Sequence, residues 1–306
     1  MLKDLRHGMR VLLQAKGWTA VVVLSLAVGI GANTAIFSAV NGMLLRTLSV
    51  PDPDSLVRLR TAGSNDMATD SSDYGFASQS PLGPVQTTFS YPMYLHFREA
   101  NRTMVDLAAS VPVGLLTVMV DGRAETVSGL LVTGNYFSML GVNARAGRTI
   151  EPSDDSASAP PVVMLSERYW RSRFSADPHV IGRVITIANV PLTVVGITPA
   201  DFNGTQRPLA EPRDVTLPIA LDPSVRGEDR LHSATTWWVQ IMGRLKPGLT
   251  VEQVHGNFAG IGLNPAGSSS SRCITRRPDS RQLTGRRSAS PFPPNLHRAN
   301  CARSTS

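Results

Sequence analysis

The sequence predicts an α+β protein, in which one N-terminal apolar helix precedes a mixed domain over 50–262. Three observations predict it. Gly17 to Leu45 carries no charged residue, and about 20 apolar residues suffice to cross a bilayer core as a helix. Pro51 to Gly262 alternates strand-like and helix-like pieces without a strict βαβ rhythm. With 42% hydrophobic and 17% charged residues and a mean hydropathy near zero, the chain is neither wholly disordered nor a polytopic membrane protein.

The apolar run is preceded by Lys3, Arg6, Arg10 and Lys16 against Asp4, and Arg46 is followed by Asp52 and Asp54. This bias puts the N-terminus in the cytoplasm and everything after Leu45 outside. A cleaved leader fits less well, because its apolar region is shorter and ends at a small-x-small site. Over 1–16, Leu2, Leu5, Met9, Leu12 and Leu13 share a helical face from which Lys3, Arg6 and Arg10 are mostly absent, the pattern of an interfacial helix. The segment 17–45 is then the transmembrane helix and stalk. Within it Ser25, Gly29 and Asn33 fall four apart, as do Gly31, Ala35 and Ala39. Small residues at that spacing let a second helix approach closely in lipid, so these six are the candidate helix-packing residues.

In the body, Leu56 and its neighbours read as a short strand, and 62–84 as a polar loop. Ser90 caps a helix expected to run to about Ala109, with Phe97, Met104 and Leu107 facing inward. Leu115–Val120 and Ala124–Leu131 flank Asp121-Gly122, a type I′ hairpin signal. Pro161–Leu165 is an apolar strand, and Ser166 caps a helix carrying Tyr169, Trp170 and Phe174. A second hairpin surrounds Asn189. Val239–Leu245 is a strand closed by Pro247-Gly248, and Thr250 with Gln253 is a capping box for a last helix.

Net charge is +7, which ordinarily suggests an anionic partner, but its distribution argues otherwise. Met1 to Asn264 holds 22 Lys and Arg against 22 Asp and Glu, while 265–306 holds eight Arg and one acid. Both cysteines, Cys273 and Cys301, also lie in that last stretch. A body without cysteine excludes a disulfide framework, a cysteine zinc site and a thiol nucleophile there. The tail 265–306 reads as disordered and basic, and its Arg, Ser, Pro and Ala without Lys is what GC-rich DNA yields out of frame. Its removal is expected to leave the core nearly unchanged.

No catalytic constellation is visible. The six histidines are scattered, Glu252-x-x-His255 is half of a di-iron pattern, and Asp154-Asp155 reads as an acidic turn. No nucleophile elbow and no Walker phosphate loop occur, so ATP hydrolysis by that machinery is excluded. Arg168, Arg171 and Arg173 around Trp170 read as a solvated helix face rather than a nucleic-acid patch. No enzymatic activity, metal, cofactor or nucleic acid is expected.

Several stretches carry a resemblance. Leu2-Lys-Asp-Leu-Arg6, Gly17-Trp-Thr-Ala20 and Leu26 to Ser38 lead into Leu44-Leu-Arg46 and Pro51-Asp-Pro-Asp-Ser-Leu-Val57. Gly134-Asn-Tyr-Phe-Ser-Met-Leu-Gly-Val142, Gly147-Arg148, Asp154-Asp155, Val163 to Ser166, Asp177-Pro178, Val194-Val-Gly196 and Gly243-Arg-Leu-Lys-Pro-Gly248 follow. Together they resemble the MacB-like, FtsX-type permeases of bacterial ABC transporters, in particular the duplicated permeases of acidobacteria, over about Met1 to Ile261. The resemblance implies one transmembrane helix, then a periplasmic core of a porter-like α/β subdomain with an inserted mostly-β subdomain. It implies the N-terminal part of a permease subunit in the cell inner membrane, coupling cytoplasmic ATP-driven motion to the periplasm for export. The implied partners are a separate ABC ATPase subunit, other permease helices or a second permease copy, and the lipid bilayer. The chain departs from the family in ending after one helix and one core domain. The alternatives are a single-span periplasmic binding or adaptor module and, less well supported, a secreted enzyme.

Overall fold

The computed structural model describes residues 16–44, 49–63, 68–71, 78–80, 83–202, 204–205, 213–260 and 272–276. The expected interfacial helix over 1–16 lies outside them, apart from its last residue. Helix α1 is Lys16–Leu44, 29 residues or about 43 Å of rise. Its side chains are described without a break over 23–37, all exposed. Among the described residues no helix is long and apolar enough to cross a membrane.

The strands are β1 Leu56–Ala62, β2 Asp70–Ser71, β3 Ser78–Ser80, β4 Gly83–Gln86, β5 Met104–Val120, β6 Arg123–Val132, β7 Ala146–Gly147, β8 Val162–Leu165, β9 Val184–Ile187, β10 Val190–Ile197, β11 Val215–Pro218, β12 Thr236–Trp237, β13 Gln240–Leu245 and β14 Arg272–Arg276. The helices after α1 are α2 Tyr91–Ala100, α3 Tyr136–Leu140, α4 Glu167–Phe174, α5 Asp222–Arg226 and α6 Val251–Gly260.

Two units share β5. In the first, β1 and β5 both run antiparallel to β13, which lies between them, and α2 makes the crossover. Likewise β13 and β14 are parallel, with β1 between them and α6 as crossover. The result is two interlocked split βαβ units in the sheet order β14-β1-β13-β5. Phe97 of α2 meets Phe258 of α6 edge to face at 5.5 Å, so both helices cover one face of this sheet. Val57, Leu59, Leu107, Ala109 and Ile241 pack beneath them. The opposite face carries Leu56, Ala108 and Met242 and is covered by Phe137 and Leu140 of α3.

The second unit is the stretch between β5 and β13. There β5 pairs β6, β6 pairs β11, β11 pairs β8, β8 pairs β10, β10 pairs β9, and β9 returns to β5. The pairings close a ring of strands, which removes free edges. Leu116, Val118, Leu131, Val163, Ile187 and Val194 are buried in its core. The mixed α and β character expected from sequence is therefore present.

Local signals explain most elements. Ser90 Oγ accepts from Met93 N and Ser166 Oγ from Tyr169 N, capping α2 and α4. Asp121 and Gly122 have φ of 53° and 73°, the two left-handed residues a type I′ turn needs. Thr250 N donates to Gln253 Oε1 and Gln253 N to Thr250 Oγ1, forming the expected capping box.

Two expectations are corrected. The helix from Ser90 stops at Ala100 rather than near Ala109. Asn101 leaves the helix extended, its Oδ1 accepts from Thr103 N and Met104 N, and its Nδ2 donates to Met104 O. That side-chain turn competes with helix continuation, so Met104 and Leu107 enter the core from β5. The tail is not disordered throughout either: Arg272–Arg276 forms β14 on the outer edge of β1. The remainder of 265–306 lies outside the described residues.

Candidate functional site

After α1 the described residues resume at 49, and Val50 enters the core, buried with Leu56, Phe137, Met139, Leu140 and Met242. Here three separate segments meet at Arg244, near the end of β13. Its Nε donates to Met139 O at 2.9 Å and its Nη2 to Leu140 O at 2.9 Å. Its Nη1 donates to Asp52 O at 3.1 Å and to Ser55 Oγ at 2.6 Å. One guanidinium thus holds the exit from the N-terminal helix, the end of α3 and the central strand of the first unit.

The arrangement follows from how a helix ends. The last four carbonyls of a helix lack partners within it. In α3, Gly141 N and Val142 N take up the carbonyls of Phe137 and Ser138, with Gly141 at φ 69°. This is the usual left-handed glycine cap. Arg244 takes the remaining two, where a cation is also favoured by the helix dipole. A side chain at Gly141 would meet Pro51 Cγ at 3.3 Å, so the glycine is required for both backbone angle and close approach.

The start of α3 is fixed by a second cluster. Asn135 Nδ2 donates to Asp106 Oδ2 at 2.6 Å and to Leu107 O at 2.7 Å. Asn135 Oδ1 accepts from Thr133 Oγ1 at 2.9 Å and from Tyr94 OH at 3.4 Å. All four hydrogen-bonding positions of this buried amide are filled. Beside it Asp155 accepts from Gly134 N and Ala220 N, tying the start of α3 to the turn after β11. Burial raises the Asp155 pKa above the usual carboxylate range, against those two hydrogen bonds.

The acidic turn and the arginines noted in the sequence are engaged in the fold. Asp154 takes both oxygens to Arg148, at 2.6 and 2.8 Å. Burial acts to raise its pKa, but the Arg148 and Glu151 hydrogen bonds prevail and hold it below the ordinary value. The three arginines near Trp170 pair individually, Arg168 with Asp214, Arg171 with Glu167 and Arg173 with Glu125. Among the described residues no three His, Cys, Asp or Glu side chains converge as a metal site. What the junction can do is mechanical: it joins the segment leaving α1 to a small helix and a core strand.

Of the six candidate packing residues, Ser25, Gly29, Gly31, Asn33 and Ala35 are exposed on α1. The side chain of Ala39 lies outside the described ones. A Cβ added at Gly29 or Gly31 would meet nothing within 4 Å. The structure does not bring these residues together with the Arg244 junction. Arg244, Asn135 and Asp52 were visible in the sequence only inside longer motifs, and no local pattern marks them, since their partners lie far away in the chain.

Residues 19–260 match the family described as MacB-like periplasmic core domain. Two curated relatives, macrolide export ATP-binding/permease proteins MacB of Salmonella paratyphi A and Salmonella typhi, are each 27% identical over 123 residues. That alignment spans 40% of this chain and 17% of each relative. Among solved structures, a domain of a permease protein from Porphyromonas gingivalis aligns with TM-score 0.52 at 16% identity, covering 75% of this chain and 92% of that one. The periplasmic region of MacB from Actinobacillus actinomycetemcomitans aligns with TM-score 0.51 at 11% identity, covering 78% and 92%. At these identities the structural likeness establishes the fold.

Proposed function

We propose that this chain, which belongs to the MacB-like periplasmic core domain family, serves as a permease component of an ABC transporter and carries motion between the membrane and the periplasm. In this reading the whole uncharged run Gly17 to Leu45 crosses the inner membrane with its N-terminus in the cytoplasm, although no helix among the described residues is by itself long and apolar enough to do so, and the two-unit core stands in the periplasm. The uncharged run Gly17 to Leu45 supports the crossing. So do Val23, Leu24, Leu26, Val28, Ile30 and Phe37, large apolar side chains 58–70% exposed around the helix; a helix apolar all round needs an apolar surrounding.

The observation that carries the coupling role is the Arg244 junction. A displacement of α1 reaches the core through Asp52 and Ser55, and one side chain passes it to α3 and β13. Transmission of this kind requires a rigid contact and an element with two arrangements. Residues 1–306 hold no phosphate loop, so in this reading an ABC ATPase outside them, on a separate subunit, drives the motion. The rows Ser25/Gly29/Asn33 and Gly31/Ala35/Ala39 then face other permease helices or a second permease copy.

Affinity purification of the full chain from its native membranes in mild detergent tests this. The expected result is co-purification of a nucleotide-binding subunit carrying a phosphate loop, together with further apolar helices. Recovery of the chain alone would contradict the transporter reading and favour a single-span binding or adaptor module.

A further inference from the structure

The strand shared by the two units is interrupted in its middle. β5 pairs β13 over Met104–Ser110 and β9 at Val118 and Met119, both on the edge opposite β6. Between these, among the described residues, no strand pairs 111–116 on that edge. On the other edge the register to β6 slips. Pro112 faces Leu130 and Gly114 faces Gly129, which leaves Val113 as the extra residue of a bulge. Gly114 has φ 71°, a left-handed angle that favours glycine. Opposite it, a Cβ at Gly129 would run into Val113 Cγ2 and Leu116 Cδ1. The corner therefore depends on both glycines.

A side chain from outside the strand is fixed on this corner. Pro112 brings no N–H, and its carbonyl accepts from Arg226 Nη2 at 2.8 Å. Arg226 ends α5, in the second unit. Its Nε lies 3.6 Å from Asp222 Oδ1, and the same oxygen accepts from Arg230 Nη2 at 2.8 Å. The Arg230 guanidinium lies 4.6 Å from the ring centre of Trp238, a buried residue that leads into β13 of the first unit. Asp222 is fully buried, where a carboxylate is tolerated only with its cations in place. The chain of contacts from Pro112 through Arg226, Asp222 and Arg230 to Trp238 thus spans the corner from one unit to the other.

We propose that the corner Pro112–Gly114 is a hinge between the two units, and that Arg226, held by Asp222 and Arg230, is the brace that fixes its angle. A hinge is a few residues that absorb a change in φ and ψ. Here a bulge and a glycine supply that freedom. The open edge over 111–116 lets the strand bend without breaking a ladder on that side. The apolar core continues across the corner from Ala109 and Val111 to Leu116 and Val118, so the motion is a change of angle between packed units and not their separation. This flexing belongs to the fold itself, whether or not the chain serves a transporter.

Double electron–electron resonance reads the angle, on the full chain in detergent, in a Cys273→Ser/Cys301→Ser background and diluted with unlabelled chain. One spin-label pair, Glu99→Cys with Ala124→Cys, lies across the corner. The other, Ala124→Cys with Ala157→Cys, lies within the second unit, and all three positions are exposed. In Arg226→Met the distance distribution across the corner should widen about two-fold or more, while that within the second unit keeps its width. Unchanged width across the corner overturns the brace. Equal widening of both pairs makes Arg226 a general stabiliser and overturns the hinge. Where Arg226→Met does not fold, Arg226→Lys is read in its place. Its ammonium keeps a charge beside Asp222 but lacks the fork that also serves Pro112 O. Widening across the corner alone is again expected, and its absence again overturns the proposal.

Discussion

Arg244 shows how much one side chain can hold when two of its partners are helix-end carbonyls that take no other hydrogen bond among the described residues. Replacing it by Met keeps bulk and hydrophobic stem but strands the Met139 and Leu140 carbonyls. The expected cost is about 2–4 kcal/mol, read as a lower midpoint in thermal or denaturant unfolding. Arg244→Lys should recover only part of it, because an ammonium lacks the planar fork that reaches several acceptors at once. The Arg148–Asp154 pair gives a pH prediction. The folded pKa of Asp154 is depressed, so its contribution is present above the unfolded value and is lost as pH falls through the folded one. In Arg148→Met the protein should melt lower than the parent near neutral pH. The two should converge in strong acid, where the carboxyl is protonated in both. Equal midpoints at neutral pH would remove the pair from the account.

At the scale of elements, legibility tracked how local the cause was. The hairpin at Asp121-Gly122 was legible because two left-handed residues are needed side by side and few residue types tolerate that. The caps at Ser90, Ser166 and Thr250 were legible for the same reason: their partners are three residues on. The segment 101–109 was misread because Phe97, Met104 and Leu107 fit a helical spacing, whereas β5 is buried at every position over Leu107 to Val111 and so shows no strand period there. The Arg244 junction was illegible because its partners lie 104 to 192 residues away. β14 was illegible because five residues in a stretch of Arg, Ser and Pro are too few to carry a readable period. For α1, Gly29→Leu or Gly31→Leu should leave membrane insertion intact, since leucine favours the bilayer. Each should lower energy transfer between labelled copies of α1 or between α1 and other permease helices in vesicles, if its row is a packing face. Unchanged transfer in both would make the two rows lipid-facing.

At the scale of the molecule, two units are built around one strand. The proximal half of β5 sits in the split βαβ sheet and its distal half in the closed ring. In the proposed coupling, a push delivered near Asp52 and Arg244 enters the first unit and continues into the second along a strand shared by both. All of this has the proposed use only if α1 lies in the membrane and the core beyond it, which makes orientation the central claim. The body lacks cysteine, so in a Cys273→Ser/Cys301→Ser background single cysteines report it cleanly. Ala157→Cys, at an exposed position, should react with a membrane-impermeant maleimide in intact spheroplasts, and Lys3→Cys only after lysis. Labelling of Lys3→Cys before lysis, or of Ala157→Cys only after it, would contradict the account.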